Sequence, residues 1–283
     1  MKFFPEHPAF VPPEKDEYKV WRYMDFTKFV SMLARRSLYF AGLKKMSEED
    51  PFEGLLPDTY FQCRSWKTVE DIPEHERWRL TFQPRPGQTP LEMVKTSMEE
   101  FAQTVFIFRK VLYVNCWHMN NFDSAAMWSI YAGRGSGIAI TSSYESLQAS
   151  LQTSQKLFGG KIIYSDYSAE IVDVQSNLLG TVMRKRRSFD FEREFRIVFW
   201  DDSSLRDSSK TNEMLERIDK AVMPDGLEFQ CDLATLIDEI YVSPKSAEWY
   251  RELVQSVAKT YGVDKEVRRS PMDMEPAHHG RLI

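Results

Sequence analysis

The stretch Ser188-Phe-Asp-Phe-Glu192-Arg-Glu194-Phe-Arg196-Ile-Val-Phe-Trp200 constrains this chain more than any other. Side chains alternate across an extended backbone. Read as a strand, Arg193, Phe195, Ile197 and Phe199 share one face, which is mostly apolar and is expected to be buried. Glu192, Glu194, Arg196 and Val198 share the other, so two carboxylates and a guanidinium stand in a row. Like charges two residues apart on one strand face repel each other unless a site uses them or water screens them. Two readings stay open. One is a half-exposed antiparallel strand with a solvated charged face; the other is a site built on paired carboxylates. The preceding basic run, Arg184-Lys-Arg-Arg187, is likewise either solvated surface or a contact for a phosphate backbone.

The rest of the chain mixes short strands with short helices along what reads as one domain, which is the α+β class. Residues 1–17 hold four prolines and several charges and are expected to form an arm with little regular structure. Tyr18 to Tyr23 reads as a strand. Asp25 is a good N-cap for Phe26 to Arg36, where Phe26, Phe29, Val30 and Leu33 recur at helical spacing. Ser37 to Phe40 reads as the next strand, and Ser47 to Gly54 as a loop. The proline-rich segment 55–90 is expected to be irregular, an insertion or a lid. Helices are expected near 91–104, 124–131, 168–185, 232–238 and 246–261, and strands near 111–116, 137–140, 161–164, 227–231 and 240–243. Residues 132–137 read as a turn, 201–210 as a polar turn, and 263–283 as a flexible tail.

Composition excludes several classes. At 283 residues and a formal net charge of −5 the chain is no general nucleic-acid coat protein, although a local basic groove is compatible with it. Cys63, Cys116 and Cys231 are widely spaced, with no CxxC, and suit neither a disulfide frame nor a zinc site. Pro5, Glu6, His7 and Pro8 interrupt any apolar leader, and no run approaches the roughly 20 apolar residues of a membrane span. The expectation is a cytoplasmic protein with no membrane contact and no metal. Seven Trp, twelve Tyr and nineteen Phe are enough to build a core and also to wall a pocket for a flat ligand.

Two further clusters can carry chemistry. Arg22 lies between the rings of Trp21 and Tyr23, just ahead of a helix cap, which suits an arginine that holds phosphate or carboxylate; an exposed edge-strand arginine is the plainer reading. Trp128 and Tyr131 share a helix face three residues apart, either as core or as an aromatic wall against a planar ligand. His118 has no second histidine at ligand spacing.

The order of these pieces resembles a large bacterial family known only as domain of unknown function 2971, over nearly the whole chain. The resemblance rests on Trp21-Arg22-Tyr23 followed by a helix, Leu38-Tyr39-Phe40, Asp50-Pro51-Phe52-Glu53, Val114-Asn-Cys-Trp117, Met127-Trp128-Ser-Ile-Tyr131 running into Gly137-Ile-Ala-Ile140, and Phe191-Glu192-Arg193-Glu194-Phe195-Arg196. Cys116-Trp117 and Ser129-Ile130 depart from it. The layout is also similar to that of ADP-ribosyltransferases: an early basic strand residue, a central aromatic and a late glutamate. That likeness implies a split, curved, mixed or antiparallel sheet with flanking helices, holding NAD as substrate in a cleft. It implies Arg22, with Tyr23, as the NAD anchor, Tyr131 or Trp128 stacked on nicotinamide, Glu194 at the ribose and Glu192 activating the acceptor; Arg196, one step along the strand face from Glu194, is placed to support it by an ion pair. Thr141-Ser142-Ser143 resembles the family's Ser-Thr-Ser element in composition. The implied function is transfer of ADP-ribose to a macromolecule, protein or nucleic acid, in a toxin or phage-defence effector. The alternatives are an NAD hydrolase and a non-catalytic module that binds a nucleotide or nucleic acid through Arg184–Arg187.

Overall fold

The computed structural model describes residues 3, 7–14, 19–131, 135–169, 177–203 and 211–274. It opens with β1 (Lys19–Asp25), α1 (Phe26–Arg35), β2 (Ser37–Gly42), α2 (Leu43–Met46), α3 (Pro90–Phe108) and β3 (Leu112–Met119). Next come α4 (Ala125–Tyr131), β4 (Gly137–Ser143), α5 (Tyr144–Ser150), β5 (Leu157–Lys161), β6 (Ile163–Ser165), α6 (Leu178–Val182), β7 (Arg184–Arg186) and β8 (Glu194–Trp200). The chain finishes with α7 (Thr211–Lys220), β9 (Gly226–Gln230), α8 (Leu233–Leu236), β10 (Glu239–Val242), α9 (Glu248–Thr260) and β11 (Val267–Arg269). The class is α+β, with helices flanking a mixed sheet.

The opening strand–helix–strand unit follows directly from its sequence. Asp25 accepts the Lys28 N–H at 2.8 Å, which satisfies one of the free amides of the first helical turn. Phe29, Met32 and Leu33 form the buried stripe of α1. Arg36, in the left-handed region at φ 49°, ends the helix and turns the chain into β2.

Among the described residues nine strands form one sheet, ordered β11-β10-β4-β1-β3-β2-β9, with β8 on the far side of β3 and β5 beyond it. All pairs are antiparallel except β10 with β11. Strand β3 is the hinge of this arrangement. Along one edge it pairs with β8 over its whole length, from Leu112↔Trp200 to His118↔Glu194. Along the other edge it is shared: β1 holds one end through Trp21↔His118, and β2 holds the other through Ala41↔Val114. Between those two points the sheet forks. The Tyr39 carbonyl is held there by two side-chain donors, Asn115 Nδ2 at 2.8 Å and Arg22 Nη2 at 3.3 Å.

Two apolar layers cover the sheet. One joins Phe29, Leu33, Leu147, Leu233 and Val254 to Val20, Phe195 and Ile197; the other joins Leu43, Phe108, Leu179, Val182 and Ile218 to Val114 and Val198. Both faces of β8 are therefore roofed. This excludes the solvated charged face: Glu194 and Arg196 are 3 % and 0 % exposed.

Several expectations are corrected. Glu192 does not lie on the strand. Residues 187–192 form a 3₁₀ turn, Arg193 sits at φ 41°, and the strand starts at Glu194. Segment 55–90 is not irregular: its three 3₁₀ turns and α3 bury their own cluster of Leu56, Tyr60, Ile72, Val94 and Met98. The arm is packed where it is described. Phe10 stacks on Phe158 at 5.0 Å, and a side chain on Gly160 would meet the Phe10 backbone at 2.9 Å. Gly159 and Gly160 thus lie within β5, where the arm crosses it, just ahead of the strand expected near 161–164. The tail folds on through β11 with Val267 buried, and residues 275–283 lie outside the described residues. Of the helix expected over 168–185, α6 and the strand β7 are described. Helix α7 has no counterpart among the expected elements. No described helix is long and apolar enough to cross a membrane.

Candidate functional site

The fork opens into a cavity of about 500 Å³, within the range of small-molecule sites. β1 supplies Trp21 to Met24, β2 supplies Ser37 to Tyr39, β3 supplies Cys116 to His118, and α1 forms one side through Lys28, Ser31 and Met32. Tyr131 at the end of α4, with Glu192 and Glu194, completes the inner end; Lys45, Glu48 and Glu49 lie at the other side.

The inner end is a network of buried charge. The Arg196 guanidinium forks onto Glu194, with Nε to Oε1 at 2.6 Å and Nη2 to Oε2 at 3.0 Å. Its Nη1 donates to Glu53 Oε1 at 2.6 Å and to the Val182 carbonyl at 2.7 Å. Lys185 Nζ donates to Glu192 Oε2 at 2.5 Å, and the Tyr131 hydroxyl donates to Glu192 Oε1 at 3.1 Å. Among the described residues, three glutamates thus lie within ion-pair distance of two cations, one carboxylate more than there are cations.

The two carboxylates nearest the cavity are driven apart in acidity. For Glu194, burial pushes the pKa up, but the Arg196 guanidinium and the Lys185 ammonium outweigh it and hold the group at about 2. For Glu192, burial, helped by the Glu194 charge, prevails over Lys185, and its pKa is raised. Environments that separate two carboxyl groups in this way divide acid and base roles between them. The Cys116 thiol, pushed up by burial and by the Glu194 charge, stays protonated.

Arg22 behaves differently. Among the described residues it has no carboxylate partner, and its Nη1 is sealed from solvent without a hydrogen bond. Burial lowers its pKa to about 10, so it remains a cation. Its guanidinium lies 5.7 Å from the Trp117 ring centroid. His118 is buried and kept neutral by burial. Its Nδ1 lies 2.6 Å from the Glu192 carbonyl, an acceptor, so the proton is on Nδ1 and Nε2 is left as an unpartnered acceptor. This contact ties the Glu192 backbone to β3.

Arg22, Tyr23, Tyr131, Glu192 and Glu194 therefore line one cavity. Trp128 and Arg196 do not. Trp128 is buried edge-on against Tyr23 at 4.9 Å and donates to Asp123, so it braces the wall from behind. Arg196 reaches the cavity only through Glu194. Thr141 and Ser142 are buried within β4, away from the cavity. No residue of 55–90 lines it.

No family model, curated protein or solved structure matches this chain.

Sequence reasoning passed over Glu53 and Lys185 as site residues. Glu53 stands in the loop Asp50-Pro-Phe-Glu53 with no local pattern that marks it as buried. In the sequence Lys185 is one of four like charges. In fact β7 turns it inward, while Arg186 pairs with Asp50 at 2.5 Å. The middle of the basic run is thus committed to the protein interior, which counts against a nucleic-acid surface there. Among the described residues no group of His, Cys, Asp and Glu is placed to hold a metal ion.

Proposed function

We propose that the cavity takes NAD as substrate and that the protein is an ADP-ribosyltransferase-like enzyme acting on a macromolecule, in keeping with a toxin or phage-defence effector. One observation carries the reading: a single cavity holds an arginine without a carboxylate partner together with two buried carboxylates of divergent acidity. NAD divides its charge in the same way. Its pyrophosphate is anionic, and the ribose bonded to the pyridinium ring gains positive charge as that bond breaks.

Arg22 binds the pyrophosphate as a counter-charge. Tyr23 and Tyr131 offer flat walls for the nicotinamide and ribose. The C1′–N bond breaks, and its electron pair leaves with neutral nicotinamide. Glu194, ionised at neutral pH, lies near the resulting oxocarbenium charge and stabilises it. Arg196 occupies one lone pair on each of its oxygens, which leaves room for a ribose hydroxyl. The acceptor attacks C1′ and gives its proton to Glu192, whose raised pKa suits a general base.

The test is release of nicotinamide from NAD by the purified protein. Arg22→Ala should weaken NAD binding about tenfold to hundredfold, the scale of one charged hydrogen-bonding group, with its circular dichroism unchanged. Glu192→Gln should lose transfer but keep binding. Wild-type protein that neither binds nor cleaves NAD overturns the proposal. Release that is indifferent to any added macromolecule marks the enzyme as a hydrolase instead.

A further inference from the structure

Three carboxylates from separate segments meet at the inner end: Glu192 from the turn before Arg193 and Glu194 from β8 line the cavity, and Glu53, from a loop, lies buried behind them. Arg196 satisfies Glu53 and Glu194 but makes no bond to Glu192. Lys185 is the one described cation that pairs with Glu192. Its ammonium also lies 3.6 Å from Glu194 Oε2 and 3.7 Å from Glu53 Oε2, and the side chain is 6 % exposed. The Phe189 ring, 4.8 Å away, closes its remaining side. Glu192 is therefore held between two donors, Lys185 on Oε2 and Tyr131 on Oε1.

We propose that Lys185 is the positioning residue of this site: its ion pair holds the Glu192 carboxylate turned towards Tyr131 and the cavity, ready to take the acceptor's proton. The role of Glu192 in this inference rests on the transfer reading; the Lys185 arrangement itself is testable without NAD. The groups facing Glu192 are Lys185 from β7, Tyr131 from α4, Glu194 with Arg196 behind it from β8, Tyr164 from β6, His118 and Cys116 from β3, and Glu53. Within this set Lys185 is the main group opposing protonation of Glu192.

The experiment follows the Glu192 carboxyl by carbon-13 NMR through a pH titration of the ligand-free protein, with Glu192→Gln giving the assignment. Lys185→Met should raise its midpoint by about one pH unit or more, equivalent to a tenfold change in the ionised fraction; Lys185→Arg should leave it near wild type. The acid limb of nicotinamide release should move the same way. An unmoved midpoint in Lys185→Met overturns the proposal. If that variant fails to fold, Lys185→Met combined with Glu53→Gln keeps the same excess of one negative charge and takes its place. Wild type provides a further check: the Lys185 ammonium should exchange slowly with water, and free exchange like that of a surface lysine overturns the proposal whatever the variants do. A shifted midpoint without nicotinamide release in wild type overturns the transfer reading alone.

Discussion

Arg79 and Arg196 are both buried, yet they use charge in different ways. Arg79 pairs with Glu76, three residues away, at 2.6 Å, and donates to Ser97 and the Tyr60 hydroxyl. The set ties a 3₁₀ turn to α3 and borders a space of about 20 Å³, room for one water. Arg196 draws its partners from residues 53, 182 and 194, carries an unbalanced negative charge beside it, and stands behind a cavity of about 500 Å³. A buried ion pair is costly to desolvate and is often replaceable by apolar packing. A closed local pair is therefore weak support for function. An unbalanced network drawn from distant segments, facing open space and an unpaired arginine, is a much stronger pointer to a ligand.

That contrast can be broken at several strengths. The largest effect is expected from Arg196→Leu, which leaves Glu53 and Glu194 buried with only Lys185 and should cost about 3–5 kcal/mol in urea denaturation. Joint replacement of Arg79 and Glu76 by leucine should be close to neutral, and a loss as large as that at Arg196 would erase the distinction. The next effect is pH-dependent. Glu194 is held at about 2, below the 4.5 usual for a glutamate. A depressed carboxylate stabilises the fold above its unfolded value, so about 3 kcal/mol should be lost as pH falls from there towards the folded value. Glu194→Gln should abolish that loss.

Glu192 should show the opposite sign. Its folded pKa is raised, so its contribution is present at low pH and declines as pH climbs from the unfolded value through the folded one. Stability curves of the two glutamine variants that slope alike would contradict the division of roles between them. The smallest effect belongs to Arg193. Holding a bulky residue at φ 41° is strained, so Arg193→Val should destabilise by about 1–3 kcal/mol, whereas Arg193→Gly should be nearly neutral in thermal melts.

The opening unit was legible because its signals are local: a capping aspartate, a helical apolar stripe, and two short β-rich runs. Phe195, Ile197 and Phe199 were placed in the core by alternation alone, and the structure buries all three. Alternation failed two residues before Phe195, since nothing in an arginine announces a left-handed backbone at position 193. It also could not say what covers the charged face. The roof over Glu194 and Arg196 comes from Val182 and from residues as distant as Leu43, and burial of that kind is a property of topology. Lys185 was lost among like charges, although the same alternation that singled out Phe195 also separates it from Arg184 and Arg186. Trp128 shares a helix with Tyr131 but packs behind the wall rather than on it, which helical spacing does not decide. Strand β11 is not legible in the sequence, because a three-residue edge strand with one inward valine carries almost no pattern.

The fork along β3 has a consequence for how such a site can diversify. Both tines hang from the same strand, and one ten-residue helix, α1, joins them. The gauge of the slot is therefore written in the length of that helix. One added turn would lengthen it by about 5.4 Å and move β2 relative to β1, while Glu192, Glu194 and Arg22 kept their identities. In this architecture ligand size is inherited as a spacing, and it can change before any side chain that touches the ligand does.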